Sequence, residues 1–208
     1  MMTLPATRRL LIVGALSLLS AGLAQAQAQL DQAAPGFRAQ TADGKTVDLA
    51  SLKGKTVVLE WTNHDCPYVR KHYNSGNMQG QQKDAAAHGV VWLQVISSAP
   101  GEQGYVEGPQ ALELNSKRGA APSATLLDPT GQIGKAYGAQ TTPHMYIVNP
   151  EGQLVYKGGI DSIPSNKVED LARAEPYVKQ ALAEMAAGRK PNPANTRPYG
   201  CSVKYAKG

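Results

Sequence analysis

The sequence predicts an α/β fold, with a central mixed β-sheet flanked by helices, and three observations carry that prediction. Thr56 to Trp61 is a β-branched and apolar run of strand length, and it leads within a few residues into Cys66-Pro67 and a helical stretch. A second buried run, Val90 to Ser97, follows that helix, and strand, helix, strand at crossover length implies a parallel pair. Met145 to Val148 and Leu154 to Lys157 are joined through Asn149-Pro150-Glu151-Gly152, a tight turn that makes these two strands antiparallel. A sheet that holds both relations is mixed.

In order, the chain opens with an address. Arg8 and Arg9 precede the apolar run Leu10 to Leu19, and Ala24-Gln25-Ala26 supplies a small-x-small cleavage pattern. Residues 1–26 are therefore read as a secretory signal peptide, and the rest as exported to the periplasm. The apolar run is too short to serve as a stable membrane anchor. Residues 27–188 have the length of one domain, and residues 189–208 form a basic C-terminal tail.

The formal net charge of +5 is misleading as a guide to partners. Of the 21 basic residues, Arg8 and Arg9 fall in the leader and five in the tail, which leaves 14 against all 16 acidic residues in the body. A slightly acidic body with a basic tail is not a nucleic-acid footprint.

Within the body, Phe37 is expected to anchor the core, and Thr41 to Leu49 reads as a hairpin around Asp43-Gly44. The helix after Cys66 breaks near Ser75-Gly76-Asn77, resumes toward His88 and stops at Gly89. Ser98 to Ala121 reads as an insertion after the second core strand, beside the active site, with a helical piece over Pro109 to Lys117. Thr125 to Leu127 is a short strand, Asp128 to Gly131 a turn, and Gln132 to Tyr137 a short helix. Asn166 to Gly188 is helical, with Pro176 either restarting or kinking it.

The chemistry gathers at Cys66. Pro67 suits the first position of a helix, which places Cys66 at the N-cap or first turn. Unpartnered backbone N–H groups and the helix dipole there favour the thiolate, the nucleophilic form. Side chains of the first turn lean back toward the N-terminus, so Arg70 can approach Cys66 and push the same way, with Lys71 and His72 as further candidates, while Asp65 opposes them. The alternative is that Cys66 is simply a small buried apolar residue.

A strand ending in Trp61, followed by Cys66-Pro67-Tyr68-Val69 opening a helix, resembles the active-site turn of the thioredoxin-like superfamily. Gly131-Gln132-Ile133-Gly134-Lys135-Ala136-Tyr137-Gly138 and Thr141 to Val148 are similar to its redoxin and peroxiredoxin-like branch, the alkyl hydroperoxide reductase/thiol-specific antioxidant type. The resemblance runs from Gln32 to Gly188 and implies a thioredoxin-like fold and a thiol-based oxidoreductase. Val69 stands where thioredoxins carry their second cysteine, and Asn63 where peroxiredoxins place a threonine. Cys66 thus resembles the attacking cysteine of a thioredoxin more than a peroxidatic one.

The resemblance also implies that the Thr142-Pro143 bond is cis, that it faces Cys66, and that the Thr142 backbone offers an edge to an extended substrate. It implies that Glu60, at the end of the first strand, accepts a proton from Cys66 or its leaving thiol. Cys201 is the other of the two cysteines. Two cysteines in an oxidising compartment usually pair, so Cys201 is expected to resolve the intermediate that Val69 cannot; a static disulfide and two free thiols are the alternatives. His64 and His144 are expected to tune the thiol or move its proton. His64, His72 and His144 have no recognised metal spacing, so neither metal nor cofactor is expected, a copper-chaperone-like binding module being the non-catalytic alternative. The expected substrates are a protein or small-molecule disulfide, or a peroxide, with a redox partner protein.

Overall fold

The computed structural model describes residues 27–207. The leader read over residues 1–26 lies outside the described residues. The N-terminal hairpin is β1 (Arg38–Thr41) and β2 (Thr46–Asp48), and β3 (Val57–Trp61) leads into α1 (Pro67–Asn74) and α2 (Asn77–Ala87). Next come β4 (Val91–Ile96), α3 (Gly108–Lys117), β5 (Ala124–Leu127) and α4 (Gln132–Tyr137). The chain continues through β6 (Thr141–Thr142), β7 (His144–Val148), β8 (Leu154–Gly158), α5 (Tyr177–Ala186) and β9 (Cys201–Ser202).

Seven strands form one sheet in the order β2-β1-β5-β4-β3-β7-β8. The expected mixture is present: β3 runs parallel to β4 and antiparallel to β7, while β7 and β8 are antiparallel. Strand β3 is buried along its whole length, as a central strand covered on both faces must be. Its side chains alternate between two cores. Leu59 and Trp61 join Leu93, Leu126, Tyr137, Tyr146 and Leu154 on the face covered by α4 and the N-terminal segment, and Phe37 packs there edge-on to Tyr137 at 6.3 Å. Val58 joins Cys66, Val69, Tyr73, Met78, Trp92, Met145 and Ile147 on the other face, under α1, α2 and α5.

The break between α1 and α2 falls at Gly76, which has φ +75°. The segment after β4 contains α3 and returns the chain to β5, parallel to β4. The helical reading of Asn166 to Gly188 resolves into a 3-10 turn at Val168–Ala172 and then α5, so Pro176, at the N-cap of α5, restarts the helix rather than kinking it.

The tail does not trail into solvent. Asn195 bridges Lys157 on β8, Thr196 hydrogen-bonds Tyr156 and the Gly159 amide, and β9 pairs antiparallel with β6. No helix among the described residues is long and apolar enough to cross a membrane.

Candidate functional site

Cys66 is the N-cap of α1, with φ −71° and ψ 121° and Pro67 directly after it. The turn that delivers it is closed locally. Cys66 donates its N–H to Asn63 O at 3.1 Å, and Asn63 Oδ1 accepts the Asp65 N–H at 2.9 Å. Asn63 Nδ2 donates to Gln103 O at 3.2 Å, which ties this turn to the segment between β4 and α3. That contact requires Gly104: its φ is +84°, and a Cβ there would lie 2.3 Å from the Asn63 side chain.

The Thr142-Pro143 bond is cis, and Thr142 O accepts a hydrogen bond from Cys66 Sγ at 3.1 Å. The edge of Thr142 is filled by the chain itself. In the β6–β9 ladder Cys201 stands opposite Thr142, and Ser202 opposite Thr141. Beyond Ser202 the Val203 amide extends this ladder to Gln140 O, the Ala99 amide donates to Lys204 O, and Tyr205 Oη donates to Ala139 O at 2.8 Å.

Both cysteines are thiols and they are neighbours. Burial first, then the neighbouring Cys66 sulfur, push the Cys201 thiol up to about 12, against Lys204. Cys201 accordingly keeps its proton at neutral pH. Cys66 is 0 % exposed, whereas Cys201 is half-buried at the surface.

The approach of β9 depends on Gly200, at φ +131°, where a Cβ would meet Thr142 O at 2.0 Å. Replacing Gly200 by alanine is expected to weaken tail docking by about 1 to 3 kcal/mol. Limited tryptic proteolysis should then cut after Lys204, whose carbonyl the Ala99 amide holds, sooner than in the wild type, and equal cleavage rates would refute the expectation.

Other side chains singled out in the sequence lie elsewhere. The Arg70 guanidinium binds His64 O and Asp65 Oδ1, each at 3.0 Å, because Asp65 offers it a carboxylate in the open. Lys71 and His72 are buried beneath the tail. His64 sits at the rim 3.5 Å from Asp65, its pKa lowered by burial more than the Asp65 charge restores. His144 pairs with Trp61 in the β3–β7 ladder and stacks on Tyr146 at 4.5 Å, in the core on the face away from Cys66. Its position does not suit it to tune the thiol.

Glu60 is fully buried instead of standing half-open at the strand end. Its oxygens accept from Tyr73 Oη at 2.7 Å, Trp92 Nε1 at 2.8 Å and Gln82 Nε2 at 3.1 Å. Burial nevertheless raises its pKa, against Arg118 and those three donors. Tyr73, also bonded to Gln94 and Gln82, makes it part of a buried polar network between α1, α2 and the sheet.

No three His, Cys, Asp or Glu side chains converge as metal ligands among the described residues. A cavity of about 520 Å³ lies between α2 and α5, lined by Ala85, Leu182 and Met185, but none of its residues belongs to the Cys66 turn or the tail. What the site presents is a dithiol: a buried sulfur at a helix start and a second one carried to it on an added strand.

Residues 30–157 match the AhpC/TSA family. Thiol-disulfide oxidoreductase ResA of Bacillus subtilis (strain 168) is 28% identical over 122 residues, which is 59% of this chain and 63% of ResA; the chain thus spans less than two thirds of that relative. Among solved structures, an uncharacterized conserved protein from Geobacillus kaustophilus superposes with a TM-score of 0.72 at 25% identity, covering 86% of this chain and 94% of its own. The thioredoxin domain of a thiol-disulfide oxidoreductase from Bacteroides vulgatus superposes with a TM-score of 0.50 at 18% identity, over 70% of this chain and 96% of its own. The fold is thioredoxin-like.

Proposed function

We propose, from the premise that the chain belongs to the AhpC/TSA family, that it is an exported thiol–disulfide oxidoreductase cycling between a Cys66/Cys201 dithiol and a Cys66–Cys201 disulfide. The observation that carries this reading is the second sulfur: β9 aligns Cys201 with Thr142, the residue whose carbonyl accepts from Cys66 Sγ. The name of the ResA relative supports the same chemistry.

In the oxidative half, the Cys66 thiolate attacks one sulfur of a substrate disulfide and the other sulfur departs as a thiolate. Cys201 loses its proton and attacks the Cys66 sulfur of the mixed disulfide, releasing the second substrate thiol. The pair gives up two electrons and two protons, and the substrate gains them. A partner dithiol reverses the exchange. Cys201 does what a second cysteine at Val69 does in a thioredoxin. Arg8, Arg9, Leu10 to Leu19 and Ala24 to Ala26 support export to the periplasm, a compartment in which such a disulfide persists.

Family membership favours a second reading, reduction of a peroxide, in which Cys66 becomes a sulfenic acid and Cys201 condenses with it to expel water. Against it, Asn63 stands where the peroxiredoxin hydroxyl would, and its amide is already spent on Gln103 O and the Asp65 amide.

The test is a titration of the purified protein against glutathione and glutathione disulfide, with alkylation and intact mass at each ratio. One two-electron transition that converts both thiols to a disulfide between Cys66 and Cys201 is expected. Thiols that remain free across the range would remove the reading, and oxidation by hydrogen peroxide far faster than by a small disulfide would move it to peroxidase.

A further inference from the structure

We infer that Tyr199, gripped by Asp161, Lys71 and His72, is a latch that positions Cys201 against Cys66. The inference rests on the dithiol reading above and names the residues that make it work.

The Tyr199 ring enters the core face shared by Cys66 and Val69 and meets Tyr68 edge-on at 5.9 Å. Its hydroxyl donates to Asp161 Oδ1 and accepts from Lys71 Nζ at 3.0 Å. His72 is the third partner, its Nε2 at 3.3 Å from the hydroxyl. Asn77 Nδ2 donates to His72 Nδ1 at 2.8 Å, which leaves the proton on Nε2 and makes that nitrogen a donor. The hydroxyl's single proton and both of its lone pairs are therefore used.

The grip is costly to bury. The Lys71 side chain is 0% exposed and Asp161 4%, with 3.3 Å between ammonium and carboxylate. A buried ion pair is seldom worth more to stability than apolar residues of the same volume, and it penalises heavily the loss of any partner. Without the Tyr199 hydroxyl, Lys71 keeps only Asp161 and Ile163 O. Asp161 would keep the Ile163 amide and the ammonium. A pair of this kind specifies one position of the tail more than it stabilises the body.

That position matters two residues on. The chain bends at Gly200, and Cys201 packs on the same core as Tyr199 and Cys66, so seating Tyr199 fixes where Cys201 enters β9. Gly200 between them lets the backbone close on Thr142 O. The latch thus raises the local concentration of one thiol at the other, and it lies in α1, the loop after β8 and the tail, outside the Cys66 turn itself.

The experiment compares wild type, Tyr199→Phe and Asp161→Asn by equilibrium with glutathione and glutathione disulfide, each variant checked for folding by circular dichroism. As the Cys66–Cys201 bond forms, two thiols are oxidised and one glutathione disulfide is reduced to two glutathione thiols. Tyr199→Phe keeps the ring and loses the hydroxyl, and its equilibrium constant for the intramolecular disulfide should fall by about tenfold, with mixed glutathione disulfides gaining in proportion. Should that variant not fold, Asp161→Asn reads the same shift with the hydroxyl kept. A folded variant with the wild-type constant overturns the latch and spares the dithiol reading, since a merely structural tyrosine lowers the melting temperature and leaves the constant alone. A wild type that forms no intramolecular disulfide overturns both.

Discussion

Replacing Cys66 by serine should abolish thiol–disulfide exchange, and replacing Cys201 should redirect it. A serine hydroxyl at the start of α1 is not ionised at neutral pH and does not form disulfides, so turnover of a small disulfide substrate should drop by at least about 100-fold, to the buffer level. In Cys201→Ser the nucleophile survives and the second sulfur is gone. Mixed disulfides on Cys66 should then accumulate, since nothing in the site releases them. Tail and turn geometry also sets the order of access, because Cys66 is fully buried beneath β9 while Cys201 reaches the surface. A small disulfide should therefore load Cys66 faster than a folded protein does. Stopped-flow mixing followed by mass analysis of the acid-quenched protein checks all three statements, and full turnover by Cys66→Ser would contradict the assignment of the nucleophile.

The second large effect is on stability in acid. Burial first, then Lys71, lower His72 from 6.5 to about 4, with Asp161 opposing. Burial and Lys157 lower His144 from 6.5 to about 3. In both cases the unfolded chain binds a proton below about pH 6.5 that the folded chain refuses, so stability is complete above that pH and is lost as the pH falls toward the folded values. From pH 7 to 4 the two histidines together should cost on the order of 5 kcal/mol, comparable with the whole stability of many domains. Glu60 works the other way, since a carboxyl with a raised pKa favours the folded state as the pH drops toward the ordinary carboxylate range. Urea unfolding at pH 7, 6, 5 and 4 should show the midpoint falling steeply below pH 6.5, and His144→Gln should flatten the curve. A midpoint that holds to pH 4 would mean that these histidines are solvated.

Much of the site was readable because its signals are local. Pro67 after a β-branched strand puts Cys66 at a helix start by backbone chemistry alone, and Thr142-Pro143 before a strand gave the cis bond by resemblance. Side-chain targets were harder. Arg70 has the right spacing to reach Cys66, yet a carboxylate at Asp65 is closer and exposed, and sequence spacing carries no information on which of two partners wins. His144 follows the facing proline, but one step along a strand inverts the side chain, so it points into the opposite core. Glu60 shares the correct face and is turned into a private network by Tyr73 and Trp92.

By itself the sequence determined the main strands and helices of the body, the parallel β3–β4 and antiparallel β7–β8 connections and the place of the first sulfur, since hydrophobic period, proline and glycine act within a few residues of where they stand. Only the tertiary structure decided where the tail goes. Tyr199 and Lys71 are 128 residues apart, and Cys66 meets a strand that begins at Cys201. Nothing in the local chemistry of a polar, proline-rich segment names its distant partner. The pairing exists because the folded body leaves one backbone edge at Thr142 and one buried carboxylate at Asp161, and the tail carries the groups that satisfy both.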